Sequence, residues 1–221
     1  EVIVNLIARS KAETQEERIA DAARQIEGAF SLVITTNDSL VGVRDPQGFR
    51  PLCLGKTENG YVLSSESCAL DAIKAEFIRH IDPGEMVIID DSGVRSVIYA
   101  EPEKIDKKLC VFEYIYFARG DSHIDGQSVY QSRLNMGREL YNETKYDADI
   151  VMSIPDSGTT AALGYARASG IPFAEGLVKN RYSGRTFIKP NQEERELAVR
   201  MKLNPLPHVV SGKRIVLIDD S

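Results

Sequence analysis

Uninterrupted apolar runs alternate with amphipathic segments in the second half of the chain. Residues 149–154 and 215–218 form predominantly apolar runs without polar alternation. Such runs are typical of strands buried on both faces of a parallel sheet. Residues 128–142 and 161–169 favour helices. This alternation predicts an α/β domain with a mainly parallel sheet over residues 109–221.

Shorter strand-like segments joined by tight turns occupy residues 1–108. Thr14 and Glu17 form a capping-box pattern that predicts a helix start, and residues 67–78 predict a second helix capped by Ser67. Consecutive strands with short connections indicate an antiparallel sheet with helices packed on it, an α+β arrangement. The predicted strands are 29–35, 40–43, 52–54, 61–63, 86–89 and 94–99.

A loop rich in hydroxyl groups and glycine follows the first apolar run of the second half. It reads Pro-Asp-Ser-Gly-Thr-Thr at residues 155–160 and leads directly into the predicted helix. In a strand–loop–helix unit the loop N–H groups and the helix N-terminus face the same point and bind phosphate. The loop is a candidate phosphate-binding loop, although taken alone it is a weak signal.

Two acids and a hydroxyl follow the last apolar run, as Asp219, Asp220 and Ser221. Ligands of open α/β sheets bind where the strands end. Paired carboxylates at such an edge hold Mg²⁺ or accept hydrogen bonds from sugar hydroxyls. This strand end therefore strengthens the interpretation of residues 155–160 as part of a ligand site.

Positive charge is concentrated near the end of an acidic chain. The net charge is −6 and the isoelectric point is near 5.2. Nine of the 27 basic residues are Lys179, Arg181, Arg185, Lys189, Arg195, Arg200, Lys202, Lys213 and Arg214. Residues 179–190 are also rich in hydroxyls and could close over a polyphosphate as a lid that excludes water. A solvated basic face or an ordinary exposed loop explains the same pattern.

Bulk properties exclude several classes of protein. An acidic chain of 221 residues has room for one large or two small domains and does not favour wholesale nucleic-acid binding. The sequence has no secretory signal and no apolar run long enough to span a bilayer. Its three cysteines are odd in number and widely spaced, which argues against a disulfide framework. We expect a cytoplasmic protein without a membrane or nucleic-acid partner.

Five motifs in this order resemble one enzyme family, the glutamine phosphoribosylpyrophosphate amidotransferases, over essentially the whole chain. They are Arg-Asp-Pro-Gln-Gly-Phe-Arg-Pro-Leu at 44–52, Ser-Glu-Ser-Cys-Ala-Leu-Asp at 65–71, Phe-Glu-Tyr-Ile-Tyr-Phe-Ala-Arg at 112–119, Lys-Asn-Arg-Tyr-Ser-Gly-Arg-Thr-Phe-Ile at 179–188, and Val-Leu-Ile-Asp-Asp-Ser at 216–221.

The resemblance implies two incomplete domains. Residues 1–108 would be the C-terminal portion of an N-terminal-nucleophile glutaminase of αββα type, and residues 109–221 the N-terminal portion of a type I phosphoribosyltransferase domain. In this family, ammonia released from glutamine displaces pyrophosphate from carbon 1 of phosphoribosyl pyrophosphate during purine synthesis. The resemblance further implies a homo-oligomer inhibited by purine nucleotides.

The resemblance also implies roles for individual residues. Ser157, Asp219 and Asp220 match positions associated with Mg²⁺. Cys110 matches the first of four cysteines that hold a four-iron–four-sulfur (4Fe-4S) cluster in some members, and the other three would lie beyond residue 221. The implied substrate-binding residues are Asp156, Ser157, Gly158, Thr159, Lys179, Arg181, Arg185, Asp219, Asp220 and Ser221.

No catalytic residue is assigned within this sequence. The family's nucleophile is a cysteine at the first position of the mature chain, with its own α-amino group as base. This sequence begins with Glu1, and none of its cysteines is terminal. The polypeptide by itself is therefore expected not to hydrolyse glutamine.

Three alternatives stay open at this point. A purine-salvage phosphoribosyltransferase has the same Asp-Asp strand end, but the glutaminase-like first half counts against it. A non-catalytic regulator with the phosphoribosyl fold would need a DNA-binding module, and this acidic chain offers no sign of one. A homologue that has lost its glutaminase is the third.

Overall fold

The computed structural model describes residues 1–180 and 191–220 of the chain. The chain divides into two compact units, Glu1–Val129 and Tyr130–Ser221. No helix among the described residues is long and apolar enough to cross a membrane.

The first unit continues past the domain boundary that the sequence predicted at residue 108. The backbone beyond that point remains hydrogen-bonded to an earlier loop of the same unit. The N–H of Lys108 donates to the carbonyl of Gln47 at 2.7 Å, and the N–H of Cys110 donates to the carbonyl of Phe49 at 3.1 Å. These contacts make the following residues part of the first unit.

Helices and antiparallel strands build the first unit. Its helices are α1 (Val2–Arg9), α2 (Gln15–Gln25) and α3 (Ser67–Ala72). Its strands are β1 (Ser31–Thr35), β2 (Leu40–Arg44), β3 (Cys53–Thr57), β4 (Gly60–Ser64), β5 (Glu76–His80), β6 (Glu85–Asp90), β7 (Gly93–Ile98), β8 (His123–Ile124) and β9 (Gln127–Ser128).

Two larger antiparallel sheets pack against each other in this unit. One has the strand order β1-β2-β6-β7 and the other the order β4-β3-β5. Buried Leu52, Ile81 and Val87 fill the space between them. A Cβ added at Gly42 would lie 2.9 Å from the Leu63 side chain, so glycine allows the two sheets to approach closely here. The antiparallel pairing agrees with the expectation from the sequence.

Helices cover the outer faces of these two sheets. Ile19 of α2 packs on Val41, Val43 and Ile88 of the four-stranded sheet. Leu70 of α3 packs on Cys53 of the three-stranded sheet. Because side chains alternate between the faces of a strand, β2 and β6 contact α2 with one face and the second sheet with the other. The layer order within the unit is therefore helix, sheet, sheet, helix.

The predicted capping box at the start of α2 is present. The Thr14 hydroxyl accepts from the N–H of Glu17 at 3.2 Å, and the Glu17 carboxylate accepts from the N–H of Thr14 at 3.3 Å. Each side chain satisfies one N–H group that the helix itself leaves without an acceptor.

The helix predicted at residues 67–78 is wrong in its second half. It ends at Ala72, and Lys74 has a φ of 58° where the chain turns into β5. The cap prediction for Ser67 is also wrong, because Ser67 is the first helical residue and caps nothing. Its hydroxyl instead accepts from the N–H of His123 at 2.8 Å. Pairing of β5 with β3 overrides the local preference for helix.

The last part of the first unit is irregular. It contains a 3₁₀ turn at Pro102–Lys104 and a π-helical turn at Glu113–Phe117. The β8–β9 hairpin then brings Asp125 against the buried Arg44 guanidinium, whose NH1 and NH2 groups each donate to its carboxylate at 3.2 Å. Arg44 is 1% exposed and also donates to the carbonyls of Gly48, Arg50 and Ile81.

The second unit combines helices with short strands. Its helices are α4 (Val129–Glu143), which begins at the last residue of the first unit, α5 (Thr159–Ser169), α6 (Gln192–Lys202) and α7 (Pro207–Val210). Its strands are β10 (Ile150–Ser153), β11 (Leu177–Lys179), β12 (Leu203–Pro205) and β13 (Ile215–Ile218).

The two apolar runs identified in the sequence pair as parallel strands. Ile150 lies opposite Ile215, and Ser153 lies opposite Ile218, so β10 and β13 end at the same edge. Val151, Val216 and Ile218 pack on buried residues of α5, including Ala162 and Tyr165. The antiparallel pair β11–β12 is separate from this ladder.

Helices α4 and α5 cross at direct backbone contact. A Cβ added at Gly137 would lie 1.9 Å from the carbonyl oxygen of Ala161, and one added at Gly164 would lie 2.1 Å from that of Leu134. Only glycine fits at either position, so the two helices are held closer than side chains normally permit.

Candidate functional site

The loop between β10 and α5 is anchored to the end of β13. The N–H of Ile154 donates to the carbonyl of Ile218 at 2.9 Å. A Cβ added at Gly158 would lie 2.8 Å from that same carbonyl oxygen, so the absence of a side chain allows the loop to lie against the strand end. The hydroxyls of Ser153 and Thr159 are 3.0 Å apart and connect the two ends of the loop.

This anchoring brings a loop hydroxyl to the acids that follow β13. The Ser157 hydroxyl donates to the Asp220 carboxylate at 2.8 Å. Asp219 is exposed at the same strand end, and Asp220 is half-buried. The Asp220 carboxylate and the Ser157 hydroxyl therefore meet where β10 and β13 finish, and Asp219 directly precedes Asp220 at this strand end.

A pocket of about 490 Å³ opens beside this loop. Its lining includes Asp156, Thr159, Glu175 and Lys179. The Lys179 ammonium lies 2.6 Å from the Asp156 carboxylate, across the mouth of the loop. The side chain of Asp156 is 80% exposed, whereas that of Lys179 is 29% exposed.

The donor set at the strand end suits a hard cation that keeps other ligands. Ser157, Asp219 and Asp220 offer oxygen atoms alone, and Mg²⁺ prefers oxygen. Across residues 1–180 and 191–220 no group of three or more His, Cys, Asp or Glu side chains could hold a metal ion by itself. Mg²⁺ usually binds through one or two carboxylates together with water and substrate phosphates, so the residues fit that ion with a ligand present.

Three sequence-predicted site residues, Arg181, Arg185 and Ser221, lie outside the described residues. Of the others in the second unit, residues 156–159 form the loop, Lys179 pairs with Asp156, and Asp220 accepts a hydrogen bond from Ser157 at the end of β13. Sequence reasoning missed Ser153, Phe173 and Glu175, which also line the site. No sequence motif pointed to Glu175. Phe173 reaches the site through a parallel bridge with Val151, a contact that the sequence pattern does not indicate.

The cysteines are separate from this site. Cys53 and Cys68 are buried, as expected, and burial together with the nearby Cys68 thiol raises the pKa of Cys53 to about 11. Cys53 is therefore a protonated thiol at neutral pH. Cys110 is half-buried in the first unit and has no cluster of further metal-ligating side chains among the described residues.

Acidic residues of the first unit hold its C-terminal segment in place. The Glu66 carboxylate accepts from the Ser122 hydroxyl at 2.7 Å and from the N–H of Arg119 at 2.8 Å. Arg50 pairs with buried Glu113 at 2.8 Å and places its guanidinium 4.7 Å from the centre of the Phe117 ring. Burial raises the pKa of Glu113, and the Arg50 charge offsets only part of that effect.

The first third of the chain matches one known protein family. A family described as "Glutamine amidotransferase domain" matches residues 1–72. That span covers α1, α2 and the first four strands of the first unit, and it ends at the last residue of α3.

Individual proteins extend this similarity to the whole length of the chain. The chain is 50% identical to an amidophosphoribosyltransferase of Methanocaldococcus jannaschii, with all of this chain and 50% of that protein aligned. It is 54% identical to one of Synechococcus elongatus, with all of this chain and 46% of that protein aligned. The chain is thus homologous over its whole length to the amidophosphoribosyltransferase family, and it spans about half the length of these relatives.

A solved structure gives the same result. Glutamine phosphoribosylpyrophosphate amidotransferase from B. subtilis, complexed with ADP and GMP, is 45% identical, with a TM-score of 0.91. The alignment covers 99% of this chain and 48% of that one. The similarity therefore includes both units.

Proposed function

We propose that this chain forms part of an amidophosphoribosyltransferase, which makes 5-phosphoribosylamine from phosphoribosyl pyrophosphate and glutamine-derived ammonia in purine synthesis. The full-length homology supports this proposal. The observation that carries the site assignment is the 2.8 Å hydrogen bond from Ser157 to Asp220, which joins the candidate phosphate loop to the strand-end acids. The comparisons give no support to the salvage or regulator alternatives.

The second unit would hold phosphoribosyl pyrophosphate at this strand end. The loop N–H groups and the N-terminus of α5 would bind the pyrophosphate, and Lys179 would neutralise part of its charge. Asp219 and Asp220 would hold the ribose hydroxyls and so fix carbon 1 for in-line attack by ammonia. When bound at Ser157, Asp219 and Asp220, Mg²⁺ would stabilise the negative charge that develops on the leaving pyrophosphate.

The first unit would be part of the glutaminase. The match at residues 1–72 and the helix–sheet–sheet–helix layering support an αββα glutaminase fold for this unit. The nucleophile would be a terminal cysteine of the longer protein. The second unit would be part of a type I phosphoribosyltransferase domain, which the parallel β10–β13 pair supports.

Further proposals concern a metal cluster, the oligomeric state and regulation. Cys110 would be one of four cysteine ligands of a 4Fe-4S cluster. Among the described residues, it is the one ligand that we propose for this cluster. The protein would be a homo-oligomer inhibited by purine nucleotides; the B. subtilis relative is described as a complex with ADP and GMP. A cytoplasmic location stays a prediction from the sequence.

Calorimetric titration of the chain with phosphoribosyl pyrophosphate and Mg²⁺ tests the site. Replacing Asp220→Asn removes a charged acceptor, and loss of one charge-assisted interaction corresponds to roughly 10- to 100-fold weaker binding. Asp147→Asn is the matched control. It removes an equal charge from the same unit, and its side chain is 86% exposed and paired with Arg214. Equal affinity of both variants and the unmodified chain would refute the site.

A further inference from the structure

In the candidate pyrophosphate pocket, the ammonium of Lys179 is already paired with an acidic side chain. Asp156 belongs to the loop whose N–H groups would bind an anion, yet its carboxylate lies 2.6 Å from the Lys179 ammonium. Both residues line the pocket of about 490 Å³. The Lys179 side chain is the one that a pyrophosphate in this pocket would use for charge neutralisation.

The charges of the described pocket lining disfavour binding of an anion while Asp156 and Lys179 are paired. Asp156 and Glu175 contribute two negative charges to the described lining, and Lys179 contributes one positive charge. While Asp156 is paired, the pocket presents no uncompensated cation from these three groups. A polyanion must therefore either replace the Asp156 carboxylate at Lys179 or bind without that ammonium.

The exposure of the two side chains favours replacement. Asp156 is 80% exposed and can rotate into water, whereas Lys179 is 29% exposed and is held by β11 at the pocket. Exposed ion pairs contribute little, because the charges are solvated and screened. Pyrophosphate carries more charge than a carboxylate and so competes effectively for the same ammonium.

We infer that Asp156 is an internal competitor for the Lys179 ammonium, which the pyrophosphate group displaces on binding. This inference rests on the proposed function of the pocket and adds a regulation of its affinity. Asp156 keeps Lys179 oriented and neutralised in the ligand-free protein, and it lowers the affinity for any anion that needs this lysine. Removal of the carboxylate therefore tightens anion binding, whereas a mere positioning role would weaken it.

Titration of the chain with inorganic pyrophosphate in the presence of Mg²⁺ tests the direction of the effect. Asp156→Asn should bind about 5-fold more tightly, the change that loss of an exposed pair worth about 1 kcal/mol gives. The gain should shrink as salt is raised, since salt screens exposed charges. Lys179→Gln should weaken binding, and Asp147→Asn, an equal charge removal at a distant exposed acid, should leave it unchanged.

A crystal structure of the chain with Mg²⁺ and pyrophosphate tests the exchange directly. The Lys179 ammonium should lie about 3 Å from a pyrophosphate oxygen, with the Asp156 carboxylate turned away from it. An intact Lys179–Asp156 pair beside bound pyrophosphate overturns the inference. So does an Asp156→Asn chain that binds equally or more weakly, or a Lys179→Gln chain with unchanged affinity.

The two proposals fail in different ways. If the unmodified chain binds pyrophosphate and Asp220→Asn weakens it, the proposed strand-end site stands whatever Asp156→Asn does. If neither the unmodified chain nor Asp156→Asn binds pyrophosphate, the pocket assignment is overturned and the competitor role with it.

Discussion

Ser157 and Asp220 are separated by 63 residues, yet the serine hydroxyl donates a 2.8 Å hydrogen bond to the aspartate carboxylate. This contact joins the loop after β10 to the end of β13. It depends on the parallel pairing of the two strands, which brings both carboxyl ends to one edge. Substitutions that move the loop away from β13 should therefore impair the site even where no site side chain is changed.

Gly158→Ala should weaken binding of Mg²⁺ and pyrophosphate by about 10-fold or more, because the loop must move from the strand end. The added Cβ would lie 2.8 Å from the Ile218 carbonyl oxygen and 3.2 Å from that of Ile154, and both contacts are with backbone. Overpacking of this kind also costs about 1–3 kcal/mol of stability. Calorimetry and urea unfolding of the same protein measure the two effects.

Gly170→Ala provides the matched control for that prediction. Gly170 ends α5 with a φ of 75°, and a Cβ there would meet nothing within 4 Å. Alanine in this left-handed conformation costs about 1–2 kcal/mol. The control should therefore be destabilised without losing affinity. Equal loss of affinity in both variants would mean that general destabilisation, rather than loop displacement, causes the effect.

Asp125→Ala should destabilise the first unit by about 3–5 kcal/mol, because it leaves a buried guanidinium without its carboxylate. The Arg44 side chain is 1% exposed and that of Asp125 is 7% exposed. Asp121→Ala removes an acid that is 54% exposed from the same segment and should cost less than about 1 kcal/mol. Urea unfolding measures both values, and similar losses would contradict the importance of burial.

The first unit should lose stability in acid. Burial alone would raise the pKa values of both Asp125 and Glu85. At Asp125, Arg44 and Lys107 outweigh burial and lower the pKa. At Glu85, Arg79 together with hydrogen bonds from Ser96 and the Asp82 N–H outweighs burial and lowers the pKa. A carboxyl whose pKa is lowered by folding stabilises the protein above its unfolded pKa, near about 4. That contribution is lost as the pH falls from about 4 through the folded pKa.

Urea midpoints at several pH values between about 2 and 7 measure this loss. Asp125→Asn removes one titrating group and should flatten the profile below about pH 4, while lowering the midpoint at neutral pH. A profile as steep as that of the unmodified chain would assign the acid sensitivity to other groups.

Gly137→Ala should disrupt the crossing of α4 and α5. The added Cβ would lie 1.9 Å from the Ala161 carbonyl oxygen, so the helices must separate, with a loss of about 3 kcal/mol or more. Glu139→Ala lies on the same helix at an exposed position and should change stability by less than about 0.5 kcal/mol. Thermal unfolding distinguishes the two variants, and an unchanged Gly137→Ala chain would contradict the close crossing.

The sequence predicted the core of the candidate site because its signals are local. Uninterrupted apolar runs identified β10 and β13, and the residues directly after each run supplied Ser157 and Asp220. Parallel strands end at the same edge of a sheet, which made this juxtaposition an expectation, whereas the choice of Ser157 within the loop came from the family resemblance. The roles of these residues toward substrate and Mg²⁺ stay predictions.

Features that depend on distant contacts could not be predicted in the same way. Residues 73–78 contain good helix formers, but pairing of β5 with β3 gives part of this segment a strand conformation. The Ser67 hydroxyl accepts a hydrogen bond from the N–H of His123, which lies 56 residues away in the sequence. The Lys179–Asp156 pair also joins segments whose relative position no periodicity reveals.

The β8–β9 hairpin determines where the chain can be divided. A shortened polypeptide that ends at residue 108 would omit Asp125 and leave Arg44 as a buried cation without a counter-charge, although the domain motifs suggest that cut. It would also remove Ser122, a hydrogen-bond donor to Glu66. Truncation after Val129 preserves these contacts, so the first unit should be expressed alone only with that hairpin included.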